Sequence, residues 1–271
     1  LDDGFQHLAL ADPRTSGSSH MTFETILQAY PWEQGWRILL GLGANVRDAW
    51  LPSSQGLLPK LADDPEIFCA AVIDYFFYLE KPDLEKSAGI RLRFAIPPET
   101  AYFTADPVSV LSRAPHPETA KLFMHYLLTD GQRLWMFPPG HPGGPRRHAV
   151  LRLAVDSRLY QDPKAIFYMN PFTASPPRPF DSELASRRRN LLSILLQGAL
   201  VLNHKFLRET WKYLLEKGQL SAKLGRLAFP VSREQFEKLL RQDGSMDILE
   251  MKNLENRWMN EFHKIYKQWM K

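Results

Sequence analysis

Cysteine is almost absent from this chain of 271 residues, Cys69 being the only one. One thiol excludes an intramolecular disulfide and any multi-cysteine metal site, and leaves the redox compartment open. No apolar run approaches the roughly 18 residues that a membrane-spanning helix needs. Charge of one sign is not concentrated. The net charge is +4, yet the basic residues are scattered, and Arg146-Arg147 and Arg187-Arg188-Arg189 are short clusters. Such clusters read as solvated surface. Without an aromatic-interleaved basic stripe or zinc-finger spacing, nucleic acid is not an expected partner. No internal repeat and no sustained heptad register is visible. An initiator methionine and a signal peptide are also missing, and the chain is read as starting downstream of its true N-terminus.

What is present is ordinary globular composition, 44% hydrophobic and 24% charged, enough to bury a core. The organising stretch runs from Leu8 to Ser19. A short apolar strand passes into the turn Thr15-Ser16-Gly17-Ser18-Ser19, and Phe23, Ile26, Leu27 and Tyr30 then recur at helical spacing. Ser18 or Ser19 is the expected N-cap. The first N–H groups of such a helix have no intrahelical acceptor, and its dipole favours negative charge, so the turn reads as an anion cradle as well as an ordinary capped helix. Gly17 permits close backbone approach, and the hydroxyls of Thr15, Ser16, Ser18 and Ser19 add neutral donors.

Residues 31–43 read as a second helix with Pro31 in its first turn. Asn45 just beyond it is a candidate ligand donor or a helix-end asparagine in its usual place. Ser54 stands at another hydroxyl-bearing helix start. Cys69 lies in the apolar run 67–73, read as a buried strand, and Asp74 comes directly after it, either a ligand-facing carboxylate at a strand end or an N-cap. Tyr75 and Tyr78 suit stacking on a sugar or holding a metal, or belong to the core. Residues 90–96 alternate like a strand. Glu99 is a second carboxylate, in a loop, and Asp106-Pro107 reads as a helix entry. His116 opens a helix whose Ala120, Phe123, Met124, Leu127 and Leu128 form an apolar stripe. The remainder is mostly helical, with a capping box at Ser232 and Gln235 and a long last helix over about 246–271. Nothing brings a base, a nucleophile and an orienting acid together, so no catalytic residue is assigned.

The order and spacing of several segments resemble the type II periplasmic solute-binding proteins of ABC importers, in the branch of ferric-ion and sugar-phosphate binders. The resemblance is carried by residues 9–13 with 15–19, Ala71-Val72-Ile73-Asp74-Tyr75, 106–111 with 116–123, Gly131-Gln132-Arg133-Leu134-Trp135, and 180–188. It implies an α/β, two-lobe periplasmic-binding fold. Residues 1–96 would be the second lobe and 97–271 the end of the first lobe plus a helical tail. About one hundred first-lobe residues would precede Leu1.

The function so implied is extracytoplasmic capture of a sugar or polyol phosphate for an importer permease, by a periplasmic monomer with no cofactor and no enzymatic activity. Thr15, Ser16, Gly17, Ser18 and Ser19 would hold the phosphate. Asp74 and Glu99 would accept from sugar hydroxyls, with Asn45, Ser54 and Tyr75 alongside. Two alternatives stand beside it. One is ferric-ion binding; the family's paired tyrosines are matched here by Tyr75-Phe76, one phenolate short. The other is a solute-sensing module that signals to a partner through the long C-terminal helix.

Overall fold

The computed structural model describes residues 6–97, 100, 103, 106–174, 180–225, 229, 231–240 and 247–271. These divide into two compact units, Leu1–Ile73 with Arg178–Lys271, and Asp74–Pro177.

In the first unit a short extended segment lies between two cores. Strand β1 (Leu8–Ala9) pairs in parallel with β2 (Cys69–Ala70), Leu8 opposite Cys69, and isolated parallel bridges join Leu8 to Val46 and Ala11 to Leu51. Alternation along the pleat sends Ala9 and Ala11 to a small cluster with Leu57 and Ile67, and Leu10 to the main core.

That main core is helical. Helices α1 (Gly17–Ala29) and α2 (Trp32–Ala44) form an adjacent pair, with the short α3 (Leu57–Asp63) after them. After the second unit the chain adds α7 (Ser182–Leu196), α8 (His204–Glu216), α9 (Leu220–Gly225), α10 (Arg233–Leu240) and α11 (Ile248–Trp269). Leu254, Trp258, Phe262 and Tyr266 recur at every fourth position of α11, and all four are buried against this core. Tyr266 donates its hydroxyl to Ala199 O at 2.7 Å, and Trp32 donates Nε1 to Val231 O at 2.9 Å. A single π-turn over Gln197–Val201 succeeds α7, with the Leu202 N–H donating to Gln197 O.

The second unit carries α4 (Asp74–Ala88), α5 (Pro117–Leu128) and α6 (Gly131–Met136), and the end of α6 joins a small cluster of Met136, Ala154 and Tyr160. No residue of α5 is buried. Its apolar stripe is real, but Phe123 remains 58% exposed.

The expected two-lobe α/β periplasmic-binding fold is not what the described residues form: helices dominate, and the strands among them are two residues long. Particular stretches show the physical reason. Residues 90–96 alternate but have no neighbouring strand among the described residues, and the Leu92 N–H donates instead to Glu85 Oε1 at 2.7 Å. Asp106 caps no helix; it pairs with Arg152. Cys69 and Phe68 are exposed rather than buried, where the expected strand shrinks to two residues, and the Phe68 ring stacks on His7 with centroids 4.4 Å apart. The N-cap of α1 is Ser16, two or three residues earlier than expected, with an extended backbone and a side chain that accepts from Ser19 N–H. The Ser232 and Gln235 capping box is present, each side chain accepting from the other's backbone N–H at 3.1 and 2.9 Å.

Candidate anion site at the start of α1

Asp12 prepares the turn before α1. Its Oδ1 accepts from the Arg14 N–H at 2.8 Å, and its carbonyl accepts from the N–H groups of Thr15 and Ser16 and from the Thr15 hydroxyl. That fixes Ser16 where its Oγ reaches the Ser19 N–H, although at 3.4 Å the cap is long, and Oγ is also 3.0 Å from the Ser18 hydroxyl. Gly17 and Ser18 supply the first N–H groups of a 13-residue helix, the place where partial positive charge is greatest. Thr15 and Gly17 are exposed and Ser18 is partly so.

Two polar atoms of the first turn have no partner among the described residues. Ser19 Oγ and His20 Nε2 are both buried, in residues each 3% exposed. A buried polar atom without a hydrogen bond costs about 1–3 kcal/mol, so such groups mark places where a further partner is accommodated. Burial lowers the His20 pKa, Arg189 and Arg188 push the same way, and Glu24 opposes them. The imidazole is therefore neutral at neutral pH.

The cation beside this turn comes from α7. A Cβ built on Gly17 would lie 3.9 Å from Arg189 Nη2. Arg189 is exposed and makes no ion pair with a described carboxylate, whereas its neighbour Arg188 is buried on Glu24. Arg188 Nε donates to both Glu24 oxygens, at 2.9 and 2.8 Å, and Nη2 is 2.7 Å from Oε1 without pointing along a hydrogen bond. Gln28 also donates to Glu24 Oε1, at 2.6 Å. Sequence reasoning passed over Arg189 and treated the arginine triplet as solvated. The signal was in the phase of α7. Arg188 stands four residues after Leu184, three before Leu191 and seven before Leu195, on the apolar stripe, which requires a buried carboxylate opposite.

Asn45 and Ser54 serve other parts of the first unit. Asn45 ends α2 and is spent on structure: its amide donates to Gly41 O at 2.8 Å and its Oδ1 accepts from Gln6 N–H. Ser54 begins a single 3-10 turn, capped by Ser53, and is buried. Asp74 and Tyr75 belong to the second unit. Asp74 Oδ1 accepts from the Tyr75 N–H at 2.8 Å and Oδ2 accepts from the Tyr168 hydroxyl at 2.6 Å. Burial, then the bond to Asp74, holds the Tyr168 hydroxyl far above its ordinary pKa, so it remains a donor. Tyr78 stacks on Tyr168 at 4.0 Å, and the Arg152 guanidinium covers the Tyr75 ring at 4.1 Å. A cation over Tyr75 is poor company for a ferric ion, and among the described residues no group of three or more His, Cys, Asp or Glu is placed to hold a metal. Glu99 lies outside the described residues.

No family model matches the chain, and no solved structure does. Over 210 residues, 76% of its length, the chain is 26% identical to the phosphoglycerate transport regulatory protein PgtC of Salmonella typhimurium, and equally to that of Salmonella typhi. It spans about half the length of these relatives, 47%. They are named for regulation of transport, which corrects the expectation of an ABC importer's solute-binding component and its ferric-ion variant, and favours the sensing alternative. Neither relative is named as an enzyme, in keeping with a chain assigned no reaction. No described helix is long and apolar enough to cross a membrane.

Proposed function

We propose that the chain is a solute-sensing module of a transport regulator, which recognises a small phosphorylated anion at the first turn of α1 and reports its presence to a partner protein. The observation that carries this reading is that one turn holds helix N–H groups at Gly17 and Ser18, a Ser19 hydroxyl and the Arg189 guanidinium, none of them with a partner among the described residues. The similarity to proteins named for phosphoglycerate transport regulation supports a three-carbon phosphorylated acid as the first solute to try. Sensing does not run through a free face of the last helix, as the sequence had suggested, because Trp258 and Phe262 of α11 are buried in the chain's own core.

The test is thermal unfolding of this chain with 3-phosphoglycerate, 2-phosphoglycerate, glycerate and inorganic phosphate. A ligand at about one hundred times its dissociation constant stabilises the folded state by about 2.7 kcal/mol, a shift of several degrees. A rise with the phosphorylated acids and none with glycerate supports the reading. No rise with any phosphorylated compound at millimolar concentration removes it.

A further inference from the structure

Polar contacts join α1 to α7 and its cap. Gly17, His20, Glu24 and Gln28 lie at three- and four-residue steps along one face of α1; Gln28 and Glu24 bond Asp181 and Arg188, and His20 and Gly17 lie towards Arg189. Gln28 Nε2 donates to Asp181 O at 3.0 Å while the Asp181 N–H donates to Gln28 Oε1 at 2.8 Å. Asp181 is itself the N-cap of α7, accepting from the Leu184 N–H at 2.8 Å. Glu24 grips Arg188, both buried. His20 feels Arg189 electrostatically, and Gly17 lies beside its guanidinium. Burying two charges with no apolar gain is an expensive way to pack helices, and replacement by apolar residues is often neutral or stabilising. A pair that adds little net stability has another use where it fixes geometry.

We infer that the Glu24–Arg188 pair and the Gln28–Asp181 contacts are positioning devices that hold Arg189 over the first turn of α1, and that Arg189 makes this turn select a doubly charged phosphoryl group over a singly charged carboxylate. The inference rests on the function proposed above. Charge around the turn supports it. Arg188 is neutralised by Glu24, Arg14 is 3.3 Å from Asp12, and His20 is neutral, which among the described residues leaves Arg189 as the unneutralised side-chain cation beside the helix N-terminus. One full positive charge added to the partial charge of the helix end matches a dianion better than a monoanion. A flexible arginine on a free surface loses side-chain entropy on closing over an anion, whereas one whose neighbour is clamped has its backbone and approach already set.

The experiment measures affinity of the chain for inorganic phosphate and for acetate by calorimetry, from about pH 5.5 to about pH 8, the range over which a phosphoryl group passes from one negative charge to two. Phosphate binding should strengthen with pH in the wild type. Arg189→Gln should weaken it by about 10- to 100-fold, the loss of one charge-assisted contact, and flatten the pH dependence, with acetate little changed. Glu24→Gln and, separately, Gln28→Ala are then combined with Arg189→Gln in double-mutant cycles. If these residues act through Arg189, each weakens phosphate binding in the wild type and has little effect once Arg189 is gone. A merely structural role would give equal losses in both backgrounds. Gln28→Ala removes one hydrogen bond from Glu24 but keeps both charges and the two bonds from Arg188, so it carries the cycle even if Glu24→Gln fails to fold. Phosphate binding that is indifferent to Arg189→Gln, or additive cycles, overturns the inference and leaves the anion site standing. Absence of any phosphate binding to the wild type overturns both.

Discussion

Glu24 and Arg188 meet 164 residues apart in sequence, through two hydrogen bonds of 2.9 and 2.8 Å, with the Glu24 side chain fully buried and that of Arg188 7% exposed. The contact ties the first helix of the chain to the first helix after the second unit. Because neither charge has water to fall back on, the two stand or fall together.

Glu24→Ala should therefore destabilise the chain by about 3–5 kcal/mol, since it strands a buried guanidinium. Glu24→Leu combined with Arg188→Met should recover most of that loss. Urea unfolding of Glu24→Ala and of the double variant compares the two directly, and a double variant no better than Glu24→Ala would mean that the pair is needed for stability in its own right.

Gln197 is fully buried in the π-turn, and both its amide nitrogen and its oxygen lack partners among the described residues. Gln197→Leu removes two unmet polar atoms while keeping similar bulk. It should raise stability by about 1–3 kcal/mol, visible as an increase in melting temperature. A fall instead would reveal an ordered water on the amide.

His204 is held to a pKa of about 4 by burial, aided by Arg208 and opposed by contacts to the Val46 and Gly43 carbonyls. The folded value is below the ordinary 6.5, so the unfolded chain binds the proton first. The contribution of neutral His204 is complete above about pH 6.5 and is lost progressively as pH falls towards about 4, costing roughly 1–2 kcal/mol after allowance for screening by solvent. His20, also lowered, adds to the same slope. Melting temperature against pH should fall over this window, and His204→Gln should make the fall shallower.

Gly17→Ala places a methyl 3.9 Å from Arg189 Nη2, an ordinary contact, at a position with no unusual backbone. Stability should change by no more than about 1 kcal/mol, in the stabilising direction. Anion affinity should nevertheless fall, because the methyl takes up space beside the guanidinium at the first residue of the helix. Phosphate calorimetry beside thermal unfolding separates the two effects.

The helices of the main core were legible because their apolar residues recur at regular steps: 23, 26 and 27 in α1, and 254, 258 and 262 in α11. The turn at Thr15 to Ser19 was legible through its hydroxyls, though its cap was set by Asp12 and Ser16 and not by the later serines. Strand character was not legible from alternation alone. Residues 90–96 have the period and lack a neighbour, and a ladder needs a partner that local sequence cannot supply. The exposed stripe of α5 shows the converse, since amphipathic spacing states that a face is apolar and not that anything covers it. Arg189 escaped notice because its role depends on α1, far away in the chain. Asp74 looked free at a strand end because its partner Tyr168 lies 94 residues downstream.

The π-turn at Gln197–Val201 absorbs one extra residue between α7 and α8. Its hydrogen bond to Leu202 encloses one residue more than an α-helical turn would. Removing one residue between 197 and 201 would let the turn relax to ordinary helix with little change of bearing beyond it, because the π-turn already takes up one extra residue within a single turn. Leu207, Trp211 and Leu214 would stay turned to the core, whereas one residue more would swing them away by about 100°. This stretch should therefore tolerate a loss of length better than a gain, and accept few changes at Gly198, where a Cβ would lie 3.1 Å from Met259 N.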